Sequence, residues 1–545
     1  MSSTLITDRL VELAAAEAMR PFCFHYAQGR CTTISYGSLL ERASTVAGNL
    51  ASLQCGNGDV ALMFVQHHPD IYAIFIGCML QGVTPALMPY PNPKQDSSLF
   101  WKSHRELLDR IQPKLLIVSA SLAGDFADNL PDYAERICNA EIVAAGPPSQ
   151  ATIARHGEIG FLQHSSGTTA TKKGVMLSHG QVLAQVASYG ATIGFTERDV
   201  IASWLPLYHD MGLISCFMMT LITGSALVAL DPFEWVASPS SLFEIIQRHR
   251  ATFCWMPNFA FHHLTRATRA GRMFDLTSIR AFINCSEPCK PESFELFEHR
   301  FADSGIQARQ LQVCYAMAEN VFAVTQTSLA ALPRVIEVDR MAFEQEGRVV
   351  PGEGLRLISC GPAVDGVELR IAGNDSTLLP DDMIGEIVIR SPFLFSGYYR
   401  QPEVTARAMR SGWYHTGDLG FRHAGELFVT GRKDDLLIVY GRNYYAHDIE
   451  GIVNTVEGLI PGRCVAFAVS GDAIGTNQVI LVAETQSVEN LALVRRIRET
   501  VLAECGLALY QVLLKEPGWL VKTTSGKISR EANRRRLLQF KPADG

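Results

Sequence analysis

The stretch HSSGTTATKKGVMLSH at 164–179 gathers hydroxyls, a bare backbone and lysines in one short loop. Ser165, Ser166, Thr168 and Thr169 surround Gly167; Lys172, Lys173 and Gly174 follow, and then an apolar run. A polyphosphate needs several hydrogen-bond donors converging within a few ångströms. Hydroxyls and exposed backbone N–H groups supply them, glycine lets the main chain approach closely, and Lys173 adds a mobile charge. Alone, SSGTT is more often a solvated turn than a site. The lysine–glycine ending favours phosphate binding. No GxxxxGK[ST] occurs, so this is not a Walker loop.

Such a loop must be held by a scaffold, and the length of 545 residues calls for two or more domains. Much of the first 330 residues reads as helix followed by strand: IYAIFIGCMLQG then VTPALMPY, HRELLDRIQPK then LLIVSA, LFEIIQRHRA then TFCWMP, FELFEHRFADSG then LQVCYAMAE. This alternation predicts an α/β fold of βαβ units, with mostly parallel sheets covered on both faces and ligands beyond the carboxyl ends of strands. From about 355 to 430 the segments shorten and alternate (GVELRIAG, GEIVIRS, GELFVTG), predicting antiparallel strands or a small barrel. A compact α+β piece begins after GRKDD, placing a domain junction at Gly431 to Asp435.

The bulk numbers exclude several classes. A net charge of -7 leaves no basic footprint for nucleic acid. Thirteen cysteines without a CxxC pair or Cys/His spacing argue for a reducing cytoplasm rather than disulfides or zinc. The first twenty residues lack a signal-peptide core. ISCFMMTLITGSALVAL at 214–230 is interrupted by Thr, Gly and Ser, and reads as a buried helix running through Gly224 into a buried strand, not a membrane span.

The loop SSGTTATKKGVMLSH resembles the phosphate loop of adenylate-forming enzymes, the superfamily of acyl-CoA synthetases, luciferases and peptide-synthetase adenylation domains. Further motifs follow in that family's order: LPLYHDMG (205–212), NCSEP (284–288), YAMAE (315–319), GWYHTGDLG (412–420), GRKDDLLIVYGRN (431–443) and KTTSGKISR (522–530). SWLPLYHDMGL, MPNFAFHHL, INCSEP and LLIVYGRN resemble the fatty acyl-AMP ligase branch. The resemblance implies a large N-terminal domain, 1–430, of two doubly wound, mostly parallel sheets plus a small β-barrel-like subdomain at 355–430. A small, mobile α+β C-terminal lid, 431–545, would complete it.

It also implies roles. Lys527 would reach from the lid to the carboxylate and α-phosphate, and His209 would sit by the carboxylate pocket, against the alternatives of a surface lysine and a satisfied core histidine. Ser165, Ser166, Gly167, Thr168, Thr169 and Lys173 would cradle the β- and γ-phosphates. Ser286, Glu287 and Pro288 would line the nucleotide pocket, Tyr315 would stack on adenine, and Asp418 with Arg432 would bind ribose. Glu319 would associate with Mg²⁺. Asp434 would be the hinge. For Asp418 the alternative is a turn cap after Gly417, and for Glu319 a buried carboxylate paired with an arginine.

Some positions depart from the family pattern. Ala170 and Lys172 replace Gly and Pro in the loop, Ala316 replaces Gly after Tyr315, and Cys285 replaces the Gly before Ser286. The last two add bulk at the expected acyl–nucleotide junction, predicting a narrow substrate pocket. Trp255, Met256, Phe259 and Phe261 would line that pocket, unless they are plain core. The stretch 326–358 resembles a segment that in fatty acyl-AMP ligases disfavours coenzyme A, so the expected acceptor is the phosphopantetheine arm of an acyl carrier protein. The tail 525–541 carries Lys527, Arg530, Arg534, Arg535, Arg536 and Lys541 against Glu531, a basic face for an acidic carrier or a solvated helix.

The expected activity is ATP-dependent acyl-adenylate formation from a fatty or short acid, with pyrophosphate release and transfer to the carrier thiol. An acyl-CoA synthetase or an amino-acid-adenylating enzyme is the chemical alternative; Asp231 and Glu234 in DPFEW stand near the region where an ammonium group would need an acid. An inactive nucleotide-binding regulator is the alternative of another class.

Overall fold

The computed structural model describes residues 5–91, 97–147, 158–164, 173–439, 442–471, 476–522 and 528–539. Its first large layer is an eight-stranded sheet. In spatial order the strands are Ala323–Gln326, Leu311–Ala316, Ala281–Asn284, Phe253–Met256, Val200–Ser203, Ala226–Ala229, Pro21–Ala27 and Arg30–Ser35. Only the two edge strands run antiparallel to their neighbours. A second sheet is wholly parallel, in the order Thr84–Leu87, Val60–Phe64, Leu115–Val118, Ile137–Asn139. These strands are short apolar runs, as parallel strands covered on both faces must be.

The helix Asp70–Gln81 packs in the main core and is buried along eleven residues, Asp70 to Leu80. It is apolar nearly all round, which suits a helix with no solvent face. Gly77 lets it approach the helix Tyr36–Ser52: a Cβ there would lie 2.5 Å from Val46 Cβ. Gly82, at φ 80°, stops it, and Val83 N–H returns to the Cys78 carbonyl at 2.9 Å. The long apolar run at 214–230 is likewise buried. A π-helical segment Met211–Met218 continues as the helix Met219–Thr223, turns at Gly224 and enters the strand Ala226–Ala229.

The short alternating segments form an antiparallel sheet of five strands, Glu368–Ala372, Gly385–Arg390, Trp413–His423, Met409–Arg410 and Glu426–Arg432. It stays open, so the expected barrel does not close. Glu368–Ala372 and Glu426–Arg432 do not pair with each other. Strand alternation gives each strand a buried face but carries no information on whether the edges meet.

The segment 326–358 contributes an antiparallel pair, Val335–Asp339 with Gly354–Ile358, and a π-helical turn Ala342–Glu346. Val338, Phe343 and Val349 from it share a core with Phe421 and Phe428 of the five-stranded sheet and with Tyr445.

Beyond Leu436, a hairpin Leu436–Val439 and Arg442–Tyr445 precedes a sheet of Cys464–Gly471, Thr476–Glu484 and Gln511–Lys515 with three helices, Ala446–Val453, Leu491–Cys505 and Arg530–Gln539. The core of this part, from Leu437 to Leu514, draws no residue from before 437. Among the described residues, no helix is long and apolar enough to cross a membrane, and all thirteen cysteines are free.

Candidate active site

The strand order of the large sheet reverses at Val200–Ser203. One neighbour, Phe253–Met256, leads toward 281–316, and the other, Ala226–Ala229, leads back to Pro21–Ala27. A crevice outside the carboxyl ends is expected at such a point, and the loops carrying the motifs leave from there. LPLYHDMG follows Ser203, Cys285–Pro288 follows Asn284, and Met317–Glu319 follows Ala316.

Two of these loops carry strained backbone. Ser286 has φ 71° and Val321 φ 62°. A β-branched residue in the left-handed region is held there only by its surroundings, and such strain gathers at functional sites.

Lys173 stands just before the strand Gly174–Ser178. That strand pairs along 396–399: Met176 N–H donates to the Gly397 carbonyl at 3.0 Å and Tyr399 N–H to the Gly174 carbonyl at 2.8 Å. Tyr398 is thereby carried under the lysine, with Lys173 Nζ 4.9 Å from its ring centroid, a cation–π contact. The Tyr398 hydroxyl donates to Glu319 Oε1 at 2.8 Å and lies 3.2 Å from the Tyr414 hydroxyl. Burial, reinforced by the Glu319 charge, holds the Tyr398 phenol far above its usual range, so it stays a donor. Phe395 N–H fixes the Glu319 carbonyl at 2.8 Å. Glu319 is thus paired with tyrosine rather than arginine.

Asp418 lies on the strand Trp413–His423, directly opposite Arg432. It is 9% exposed. Its Oδ2 accepts from the Tyr315 hydroxyl at 2.6 Å, and Arg432 Nε lies 3.2 Å from Oδ1. Burial pushes the Asp418 carboxyl up, opposed by Arg432 and Tyr315. Burial and the Asp418 charge push the Tyr315 phenol well up, so it also remains a donor. Arg432 is held up chiefly by Asp418, with smaller contributions from Tyr315, Asp435 and Glu319. The Glu319 charge is therefore felt at Arg432. The carboxylate does not cap the turn after Gly417; it joins two strands.

His209 is largely buried, with Nδ1 2.7 Å from Asp210 Oδ1. Asp210 Oδ1 also accepts from Met211 N–H at 2.8 Å, opening the π-helical segment immediately after the histidine. Such turns are frequent at functional sites. Gln163, in the strand Ile159–His164, donates to the Tyr208 carbonyl at 3.0 Å and ties that strand to the loop carrying His209.

Ser286 and Glu287 are half-buried and Pro288 is exposed. Glu287 Oε2 accepts from Phe259 N–H at 2.9 Å. Lys527 and the loop residues Ser165, Ser166, Gly167, Thr168 and Thr169 lie outside the described residues.

The residues expected to line the substrate pocket fare differently. Trp255, Met256 and Phe261 are wholly buried in the main core, and Trp255 Nε1 donates to the Tyr189 hydroxyl at 3.0 Å. Phe259 is 44% exposed and rests edge-on against the stacked pair Trp204 and Trp235. Cys285 is buried and Ala316 half-buried. A cleft of about 530 Å³, counted to its open mouth, lies elsewhere, between the ends of the two sheets. Leu87, Met88, Leu205, Leu207 and Leu230 line it, with polar groups from His67, Ser203 and Tyr208. None of the six expected residues borders this cleft.

Of the described basic residues of the tail, Arg534 and Arg535 are exposed and Arg530 and Arg536 are half-buried. Arg530 is drawn inward, Arg536 donates to the Trp519 carbonyl at 2.7 Å, and Arg535 pairs with Glu531 at 2.7 Å.

Sequence reasoning missed Tyr398, Tyr414 and Glu386. Glu386 Oε1 accepts from Gly417 N–H at 3.1 Å, while its Oε2 lies near His415, Arg410 and Lys433 at 3.3, 3.7 and 3.7 Å. Only the chain position after SG in FSGYYR marked Tyr398, and that spacing announces no chemistry.

With this geometry in hand, the likenesses to known proteins are informative. Residues 11–399 match the AMP-binding enzyme family. The medium-chain-fatty-acid–[acyl-carrier-protein] ligase JamA of Moorena producens is 30% identical over 543 residues, covering 93% of this chain and 90% of that protein. The long-chain-fatty-acid–AMP ligase FadD26 of Mycobacterium marinum is 28% identical, covering 92% of this chain and 91% of that one. A solved structure from a study of fatty acyl-adenylate ligases of E. coli and L. pneumophila superposes with TM-score 0.91 at 25% identity, covering 100% of this chain and 99% of that one. The L. pneumophila fatty acyl-adenylate ligase in complex with acyl adenylate and pyrophosphate gives TM-score 0.74 at 26% identity, covering 99% and 97%. Motifs, fold and likeness agree: the chain belongs to the AMP-binding enzyme family.

Proposed function

We propose that this chain is an ATP-dependent fatty acyl-AMP ligase. It joins a carboxylic acid to the α-phosphate of ATP, releases pyrophosphate, and passes the acyl group to the phosphopantetheine thiol of an acyl carrier protein. The observation that carries this reading is the convergence of Lys173, Glu319, Tyr315, Asp418 and Arg432 from four separate segments: Tyr398 joins Lys173 to Glu319, and Asp418 joins Tyr315, four residues before Glu319, to Arg432. JamA and FadD26, named for acyl-carrier-protein and AMP ligation, support the choice of acid and acceptor.

The first half-reaction brings a carboxylate against a triphosphate, so catalysis is mainly positioning and charge neutralisation. A unit charge about 4 Å away is worth about 4 kcal/mol at an effective dielectric near 20. Lys173 and the hydroxyls of 165–169 take the phosphate tail, and Lys527 takes the reacting oxygens. Asp418 accepts the ribose hydroxyls, held in place by Tyr315 and Arg432. His209 orients the acid, and Ser286 to Pro288 border the base.

Glu319 fits Mg²⁺: its carboxylate is already positioned by a phenol donor. One carboxylate suits a hard ion that keeps waters and phosphate oxygens. When bound, the ion would neutralise phosphate charge.

The reading includes two domains, 1–430 and 431–545, meeting near Asp434. Separate hydrophobic cores on either side support that division. It also includes a cytoplasmic setting, supported by thirteen free cysteines. The segment 326–358, packed beside Tyr445 of the small domain, supports the carrier over coenzyme A.

The test is pyrophosphate release by the full chain across a panel of fatty and amino acids, then acyl transfer to a phosphopantetheinylated carrier and to coenzyme A. Fatty acid dependence and preference for the carrier are expected. Dependence on amino acids, or equal transfer to coenzyme A, would overturn the corresponding part.

A further inference from the structure

The side chains after Gly431 change partners within three residues. Arg432 Nε lies 3.2 Å from Asp418, and Lys433 Nζ 3.7 Å from Glu386, both carboxylates of the five-stranded sheet. Two residues on, Asp435 Oδ1 accepts from Arg530 Nη1 at 2.9 Å. Asp434 therefore stands between a residue bound to the large part and a residue bound to the small one.

Arg530 opens the last helix and is 16% exposed. Its Nη2 donates to Glu450 Oε1 at 2.7 Å and its Nε to the Ala466 carbonyl at 2.8 Å. Both terminal nitrogens and Nε are thus engaged, on three different elements. Burial lowers the Arg530 pKa, but Glu450 and Asp435 more than offset it. A planar guanidinium fixes such a junction in angle as well as distance, which an ammonium does not.

Two arms meet just before this arginine. Lys522 bridges antiparallel to Ile528, and Ser529 N–H donates to the Val521 carbonyl at 3.0 Å. The buried Asn533 amide holds Val521 from both sides: its Nδ2 donates to the Val521 carbonyl at 2.9 Å, and its Oδ1 accepts from Val521 N–H at 2.9 Å. In the sequence, Lys527 falls between these arms.

We propose that Arg530, with Asp435 and Glu450, is a positioning clamp that ties the arms flanking Lys527 to the first residue beyond the pivot. A rotation at Asp434 then moves both arms together with the rest of the small part. Arg530 touches no substrate and acts through Lys527. The proposal rests on the reading of the chain as an acyl-adenylate-forming enzyme, because only that chemistry gives Lys527 its task. Misplacement of a catalytic group by about 1 Å costs on the order of a hundredfold in rate, so a loosened clamp registers in turnover before it registers in binding.

The test uses the full chain with Asp435→Asn, Arg530→Gln, Arg530→Lys and the double variant Asp435→Asn/Arg530→Gln. Asp435→Asn keeps size and an acceptor oxygen and leaves Glu450 to neutralise Arg530, so it should fold. Hydrogen exchange is read on the peptide spanning 519–533, and acid-dependent ATP–pyrophosphate exchange gives kcat and KM. In Asp435→Asn, amide exchange in that peptide is expected to rise about tenfold, with the strand Thr476–Glu484 unchanged. The kcat should fall about tenfold with KM for ATP within about twofold. The double variant should be no slower than Arg530→Gln, and Arg530→Lys should recover part of the loss. Exposed Arg495→Gln, paired among the described residues with Glu499 alone, at 2.7 Å, serves as the control without effect. Unchanged hydrogen exchange in Asp435→Asn would overturn the clamp whatever the reaction. So would losses that multiply in the double variant, or a fall in kcat matched by a rise in KM and a lower melting point. Absence of acid-dependent exchange in the unaltered protein would instead refute the reading of function, leaving hydrogen exchange to decide the clamp.

Discussion

Asp418 shows how one residue is prepared for a ligand. It is a buried carboxylate with a phenol on one oxygen and a guanidinium at the other. Removing one partner of such a group leaves the others unpaired. Asp418→Ala is expected to raise KM for ATP at least about tenfold, each tenfold being about 1.4 kcal/mol; steady-state kinetics at saturating acid check it, and an unchanged KM counts against the ribose role. Lys527→Ala is expected to slow ATP–pyrophosphate exchange about a hundredfold or more, and near-normal exchange would refute that assignment. Asp418 and Arg432 were singled out through the resemblance of TGDLG and GRKDD to the family's motifs, and they do stand opposite each other. Tyr398 was not: its partner Glu319 lies 79 positions away, and no local pattern marks a phenol that serves a distant carboxylate.

At the scale of elements, the strand Pro21–Ala27 enters the large sheet beside Ala226–Ala229 and carries His25 into the core. Its ring stacks on His67 with centroids 3.9 Å apart, and among the described residues neither ring nitrogen has a hydrogen-bond partner. Burial, then the neighbouring His67 and His68, pushes its pKa down to about 2 from an ordinary 6.5. Burial lowers those of His67 and His68 as well. The folded state therefore binds fewer protons than the unfolded chain. This contribution is intact above pH 6.5 and is lost as the pH falls below it, by up to about 1.4 kcal/mol per pH unit for His25. His25→Leu is expected to narrow the drop in melting temperature between about pH 7.5 and about pH 5. Thermal melts at both values check it, and an identical drop would contradict the assignment to His25. The helix–strand alternation that places these elements was readable from apolar periodicity. The pairing of residues 21–27 with 226–229 was not, because periodicity shows which face is buried and not against which strand. The open edge of the five-stranded sheet escaped for the same reason, and the π-helical turn after His209 has no separate sequence signature.

The whole molecule presents a nucleotide-binding scaffold in the first part, a small α+β part beyond Asp434, and an apolar cleft beside Tyr208. We propose that Cys285 and Ala316, standing where the family has glycine, narrow the junction of acid and nucleotide, giving the highest kcat/KM below twelve carbons. A series of straight-chain acids checks it, and a preference for twelve carbons or more would contradict it. A large α/β part followed by a small α+β part was legible from the shift in strand pattern; the clamp that joins Asp435 to Arg530 was not, since 95 residues separate them. The central claim is that the chain makes an acyl adenylate. Mass spectrometry of the full chain incubated with ATP, Mg²⁺ and a medium-chain acid, with no thiol present, tests it most directly. The expected product is acyl-AMP with an equal amount of pyrophosphate. ADP and phosphate, or intact ATP with every acid tried, would contradict it.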